Sequence, residues 1–584
     1  MGKIFIFCAL LLTACQKNYL DRTPYSAVSS ATMWTSDNLT DLGVAGVYNG
    51  LRLGMGNSSN GFYFEIYALD RFSSTTQSRF DEPLLNGTIT AGDGVFSTFW
   101  KNFYEGIQRA NDAIKNIPEK SPSPAAKKAR YIAECKFLRA YFYSRLNQLY
   151  KGVPIYLEPF TPAQATKARS TEAQVWNQVI TDLTDCINEA NLPAIYASGN
   201  ADYGHVTKGA AYALRGKAYM YLKKWDLAAA DFNEVKKAGY ALFNDYSTLF
   251  TTANERCSEM IFSIQNISQP NAGGSFQVFV ASRSAQGFAW NYFMPSPNLV
   301  DLYENRDGSR FNWDAVLPGY TSLTPAKREV YFLRDNLTAG EITAAKNRGA
   351  EMSLYLPNGN EARIKQAYVN RDPRLQATVI TPYAAFDGAY SNTTTPTTSY
   401  LRWPYRAQAL VNGDFQTDTQ NFFYYMYRKF VATGTSEIIS RDYAPVDAPL
   451  IRYADVLLMW AEALNEQGLT NDAIDLVNQV RGRAGVALLN SNAATTVTGK
   501  DDMRIRIRNE RRVEFPIEGV TYFDELRWGA WKDNVFFTGN GRKQVWGGNV
   551  ASYSFKADYI YTWPIPLSDI VMNPSLEQNF GWIN

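Results

Sequence analysis

The stretch IRYADVLLMWAEALNEQGLTNDAIDLVNQVRGRAG, residues 451–485, decides the fold. Ile451, Ala454, Leu457, Leu458, Ala461 and Leu464 recur at steps of three and four, which stacks them on one face of a helix. Gly468 can take the turn that follows, and Asn471 can cap a second helix whose apolar row is Ala473, Ile474, Val477 and Val480. The pattern predicts two antiparallel helices. Small residues at Ala454, Ala461, Ala463 and Ala473 let them approach closely, as in a tetratricopeptide-type unit. One such pair cannot bury its own apolar face, so further pairs are expected elsewhere in the chain.

Working outward, the same period returns. Phe99, Phe103, Ile107, Ala110 and Ile114 predict a helix to Ile117, ended by Pro118 and the SPSP run at 121–124. Ile132, Cys135, Leu138, Tyr141, Phe142, Leu146 and Leu149 predict its partner over 129–150. Helices over 172–190, 207–222 and 225–238 follow, and one over 35–53 precedes. Trp225, Ala228 and Phe232 make 210–239 the nearest match to a tetratricopeptide unit. Residues 241–445 differ in kind. Short β-like runs, MIFSIQ at 260–265 and ATVI at 377–380, sit among Gly, Asn, Thr, Ser and Pro, including NTTTPTTS at 392–399.

The expected architecture is therefore mainly α: a tetratricopeptide-like scaffold of about four helical pairs, with a large irregular lobe containing short strands. Four divisions follow. Residues 1–14 are a signal peptide, 15–240 carry the N-terminal helical pairs, 241–445 form an irregular lobe, and 446–584 hold the last pair and a Trp-rich tail packing on the scaffold. The signal is read from Lys3, the apolar run IFIFCALLL and Leu12-Thr13-Ala14-Cys15, which resembles a lipobox. Acylated Cys15 would then tether a body with no apolar run long enough to span a bilayer.

Composition narrows the chemistry. With 58 Lys and Arg against 56 Asp and Glu, the net charge of +2 supplies no field for nucleic acid. Five cysteines without a C-x-x-C spacing, and His205 as the only histidine, argue against a zinc site and most His-based catalysis. No acidic pair stands out for glycoside hydrolysis, so neither catalytic residues, metal nor cofactor is expected. Aromatic residues reach 14%, and flat rings with polar handles suit sugar-like or peptide-like ligands as well as cores. Arg504, Arg506, Arg508, Arg511 and Arg512 alternate with or precede Glu510, Glu514, Glu518, Asp524 and Glu525, which reads as an ion-pair network. Arg452, Arg481 and Arg483 read as staples, Asn370–Arg374 as a packing turn of the lobe, and His205 as a loop residue or cap.

Taken together, these blocks resemble the SusD/RagB family of outer-membrane lipoproteins from Bacteroidetes. The matching strings are AECKFLRAYFYSRLNQLYKGVPIYLEP (133–159), VTKGAAYALRGKAYMYLKKWDLAAADF (206–232), EMIFSIQ (259–265), NRDPRL (370–375) and YRKFV (427–431). They continue through 451–485, RNERRVEFPIEGVTYFDELRWG (508–529) and WPIPLSDIVMNPSLEQNFGW (563–582), in family order. The resemblance implies a surface-exposed, lipid-anchored outer-membrane protein that binds oligosaccharides and delivers them to a SusC-like TonB-dependent barrel, without catalysis. Peptide capture, or a ligand-free envelope scaffold, are the alternatives it leaves. It places the ligand between the loop ahead of the second helical pair, with Tyr67, Asp70, Arg71, Phe72, Arg79 and Phe80, and the lobe string FAWNYFMP, with Trp290, Tyr292 and Phe293. There a sugar's C–H face would stack on an aromatic plane while Asp, Asn and Arg take its hydroxyls.

Overall fold

The computed structural model describes residues 32–53, 66–389, 395–406, 412–419, 421–434 and 440–583; the signal segment 1–14 and Cys15 lie outside them. Nine helices build the scaffold among the described residues: α1 (Asp37–Tyr48), α2 (Gly94–Lys120), α3 (Ala125–Tyr150), α4 (Glu172–Asn188), α5 (Lys208–Tyr221), α6 (Trp225–Lys237), α7 (Tyr453–Glu466), α8 (Thr470–Ala484) and α9 (Lys500–Glu514). Each from α2 to α6 packs on the next, and α7 packs directly on α6 as well as on α8 and α9. The array therefore closes across the lobe, as a tetratricopeptide-like superhelix would.

Local chemistry sets the helix ends. Ser36, Asp93, Thr171 and Thr207 each accept a hydrogen bond from a first-turn N–H, and Thr171 with Gln174 forms a capping box. Gly468 and Gly485 take left-handed backbone at φ 85° and 75°, closing α7 and α8. Close approach elsewhere rests on glycine: a Cβ on Gly106 of α2 would lie 2.6 Å from the Phe142 ring of α3, and one on Gly216 of α5 would lie 2.5 Å from Phe232 of α6.

Three boundaries differ from the sequence reading. Pro118 does not end α2, which continues to Lys120, because in the last turn it forfeits a single backbone bond and Ser121 N still reaches Ile117 O. Ile451 and Arg452 belong to a strand, so α7 begins at Tyr453. Asn471 lies inside α8, which starts at Thr470; the Thr470 hydroxyl instead bonds Asn465 at the end of α7.

The strands are short: β1 (Thr76–Ser78), β2 (Met260–Ile264), β3 (Phe293–Pro295), β4 (Val379–Ile380), β5 (Ala385–Ala389), β6 (Pro396–Tyr400), β7 (Met426–Tyr427), β8 (Ala448–Arg452), β9 (Gly541–Lys543) and β10 (Asn549–Ser552). They pair two by two and antiparallel, β1 with β3, β2 with β8, β4 with β7, β5 with β6, and β9 with β10. Two hydrophobic cores result. One draws on the helices and on Trp531, Trp563 and Trp582. The other runs from Ile264 to Ala448 and adds Tyr67, Ala68, Val513, Ile517, Val545 and Trp546.

Buried ion pairs form the seam between the cores. Arg452, 1% exposed, reaches Glu259, Glu514 and Glu518, each at 2.7 Å. Arg483 pairs with the same Glu259 and Glu514, Arg481 with Glu304 and Glu510, and Arg374 with Asp372, Glu510 and Glu514. Burial pushes the Glu514 carboxyl up, yet Arg483, Arg452 and Arg374 together hold it far below the usual range. Arg511 joins Asp455 and Asp524, Arg504 joins Glu466 and Arg506 joins Asp502, as an ion-pair network requires; Arg508 instead lies over Trp528 at 5.0 Å. Arg371 donates to the carbonyls of Val300, Tyr303 and Ala367, fixing the turn within the lobe.

Candidate binding site

Pairing of β1 with β3 sets Ser78 opposite Phe293, so the residues just beyond it, Arg79 and Phe80, come to stand beside Trp290 and Tyr292. Arg79 N donates to Tyr292 O at 2.7 Å, and Arg79 Nη1 donates to Trp290 O at 2.8 Å. The guanidinium then lies 4.4 Å from the Tyr292 centroid and 4.7 Å from that of Phe80. Tyr292 also stacks on Phe279, 5.4 Å away at 18°. Phe80 meets the Tyr292 ring edge-on at 5.1 Å and is 45% exposed. Trp290 is half-buried, 5.4 Å from Tyr292, with the Arg441 guanidinium 4.5 Å from its ring.

The loop that presents these rings is held against its own preferences. Phe288 and Asn291 sit at φ 60° and 38°, where side chains other than glycine are strained. Backbone bonds from Trp290 to Val278, Asn291 to Ala281 and Tyr292 to Phe279 fix them there. Asp418 closes the cluster from a third segment. It pairs with Arg79 at 2.5 Å and with Arg283, and its N–H bonds Asn291 Oδ1 at 3.1 Å. Arg283 in turn lies 4.2 Å from the Phe288 ring, and Arg441 Nη1 donates to Phe288 O at 2.8 Å. The result is a surface aromatic patch edged by three guanidiniums and a carboxylate.

Of the nine residues predicted to contact ligand, Arg79, Phe80, Trp290 and Tyr292 come together in this patch. The other five are interior. Tyr67 bonds Ser275 Oγ at 2.5 Å and packs on Phe276 at 4.2 Å. Asp70 has no exposed surface and accepts the N–H groups of Gly519 and Tyr522 at 2.9 and 3.2 Å; burial pushes its carboxyl up to about 7. Arg71 pairs with Glu82 at 3.2 Å and donates to Ala68 O, while Phe72 and Phe293 are core, the former against Tyr522 and the latter against Tyr67 and Phe279. Asp418, Arg283 and Arg441 escaped the sequence reading, because nothing in their own segments marks them and only the lobe's fold brings them to residues 79 and 290.

Two further features lie away from the patch. His205 Nδ1 is 2.8 Å from Glu134 Oε2, which also accepts from Tyr48 OH, so the histidine is tied into a packing network. A groove of about 500 Å3 on the helical side is lined by Trp100, Tyr104, Tyr156, Phe160, Asp569 and Met572, with exposed Val571 next to Met572 in the chain. Among the described residues no cluster of His, Cys, Asp or Glu is arranged to hold a metal ion, and no helix is long and apolar enough to cross a membrane.

Comparison with known proteins gives a consistent picture. Residues 258–582 match the family described as the SusD family, and residues 18–220 match one described as starch-binding, associating with the outer membrane. The chain is 24% identical to SusD-like protein P38 of Formosa agariphila over 97% of this chain and 96% of that one. It is also 24% identical to the starch-binding protein SusD of Bacteroides thetaiotaomicron, over 78% and 74% of the two chains. Among solved structures, a SusD-like carbohydrate-binding protein of Bacteroides fragilis superposes with a TM-score of 0.71 at 24% identity, covering 94% of this chain and all of that one. Surface glycan-binding protein A of Bacteroides thetaiotaomicron, in complex with laminarihexaose, does so with a TM-score of 0.61 at 19% identity, covering 93% and 100%.

Proposed function

This chain belongs to the SusD family, and from that premise we propose that it captures oligosaccharides at the Phe80–Trp290 patch and delivers them to a SusC-like TonB-dependent transporter, without acting on them chemically. The observation that carries the reading is the patch itself. Exposed Phe80 and half-buried Trp290 offer ring surface, the latter from a strained, firmly bonded loop, and charged groups at their edges are placed to meet hydroxyls. Relatives named for starch, carbohydrate and laminarihexaose binding support a saccharide over other small ligands.

The same reading puts the protein on the outer membrane, facing the cell surface and anchored through an acylated Cys15. The apolar groove between α2 and the C-terminal segment, next to exposed Val571, is suited to docking against the barrel. A glycan array followed by calorimetry tests capture: binding by the parent chain and its loss in a Phe80→Ala, Trp290→Ala double variant are expected. No glycan binding, with peptides co-purifying and released on denaturation, would replace saccharide with peptide as the cargo. A Cys15→Ser variant is expected to leave the membrane fraction, and co-purification of a barrel from the native host tests the partner.

A further inference from the structure

We propose that the glycan taken at this patch is an acidic one, bearing carboxylate or sulfate groups; the proposal rests on the capture reading above. Three guanidiniums, Arg79, Arg283 and Arg441, border the rings, with side chains 16%, 27% and 26% exposed. Asp418 serves the first two at once. Among the described residues, the nearest carboxylate to Arg441 is that of Asp442, 3.9 Å away, at the limit of an ion pair. Arg542, which donates to Arg79 O, is matched by Asp81 at 3.0 Å and adds no net charge. Among the described residues the patch thus carries a cationic excess in a position where solvent is partly withdrawn, and a ligand anion would offset that cost.

Ring contacts and hydrogen bonds commit part of each guanidinium. Arg283 lies over Phe288, Arg441 over Trp290, and Arg79 over both Phe80 and Tyr292, with each Cζ 4.2–4.7 Å from a ring centroid. Their N–H groups lie in the guanidinium plane, at the edges. Arg441 commits one Nη to Phe288 O, and Arg283 meets Asp418 through Nε. The remaining fork edges match the geometry of a carboxylate or sulfate, which a guanidinium holds with two parallel bonds. The hydroxyls of a neutral sugar can accept from the same N–H groups but leave the surplus charge unmatched.

The test pairs glycans that differ only in charge: oligogalacturonate against its methyl ester, and a chondroitin sulfate oligosaccharide against the chemically desulfated chain, with laminari- and malto-oligosaccharides as neutral probes. Calorimetry is run at about 50 mM and about 300 mM NaCl, which brackets strong and weak screening. The expected result is that at least one charged member binds about tenfold or more tighter than its neutral twin and weakens in salt, and that Arg283→Gln or Arg441→Gln lowers its affinity about tenfold. The salt dependence of the unsubstituted chain decides the matter should either variant melt early. Binding of a neutral glycan, unchanged by salt and by both variants, overturns the charge proposal while capture stands. No carbohydrate bound by the parent chain at either salt overturns capture, and this proposal with it.

Discussion

The Arg79 guanidinium stands 4.4 Å from the centroid of Tyr292, a ring that also stacks on Phe279 at 5.4 Å. Tyr292 is thereby buried within the protein, while Phe80 beside it remains 45% exposed. The two rings should answer truncation differently. Phe80→Ala is expected to cut ligand affinity about fivefold, with a stability change within about 0.5 kcal/mol, as for other surface substitutions. Tyr292→Ala removes a 9%-exposed core ring and is expected to cost about 3 kcal/mol. Calorimetric titration and urea denaturation of the two variants separate these outcomes.

Arg452 is expected to be among the least replaceable side chains. Arg452→Met would leave Glu259, Glu514 and Glu518 buried without one of their cations, a loss of about 3–5 kcal/mol. A urea midpoint within error of the parent would show that Arg483, which shares Glu259 and Glu514, makes Arg452 redundant.

Glycine at the helical contacts is a sterically required choice. Gly106→Ala would place a methyl 2.6 Å from the Phe142 ring and is expected to destabilise by about 1–3 kcal/mol, despite a helix-propensity gain of up to about 1 kcal/mol. Gly46→Ala, in α1, where no described residue outside the helix's own backbone lies within 4 Å of the added methyl, receives only the gain and should raise the melting temperature. Thermal melts of the two variants should move in opposite directions.

The buried carboxyl of Asp70 sets a pH dependence. Burial raises it from 3.8 to about 7, so its contribution to stability is fully present below 3.8 and is lost as pH rises through 7. Lys429 works in the other sense: burial lowers it from 10.5 to about 8, so its contribution is present above 10.5 and is lost as pH falls through 8. Between about pH 5 and about pH 8 the parent should lose melting temperature relative to Asp70→Asn, which has no proton to lose. Parallel melting curves across that range would show that Asp70 does not titrate there.

The helical scaffold was legible because its signal is local: residues three and four apart must share a face, and Leu457, Leu458 and Ala461 declare it unaided. Helix ends were less so. Pro118 is tolerated because of where it falls in a turn, and Ile451 leaves the helical pattern because β2 captures it, a partner some 190 residues away in the chain. The patch was half legible. Aromatic loops pointed to residues 79–80 and 290–292, yet the same composition swept in Phe72 and Phe293, since a loop aromatic turned inward reads like one turned outward. Asp418 left no trace in its own segment, because its role is to meet Arg79 and Arg283 across the fold.

The pairing of Ile264 with Ala448 means that the chain leaves the scaffold and returns to it at neighbouring points. During synthesis, α1 to α6 emerge long before α7, so the side of α6 that α7 covers waits uncovered while the whole lobe is made. Truncation anywhere inside the lobe would leave the same open end permanently, which makes the integrity of the ribosome's product, more than the strength of any one contact, the condition for a sealed scaffold.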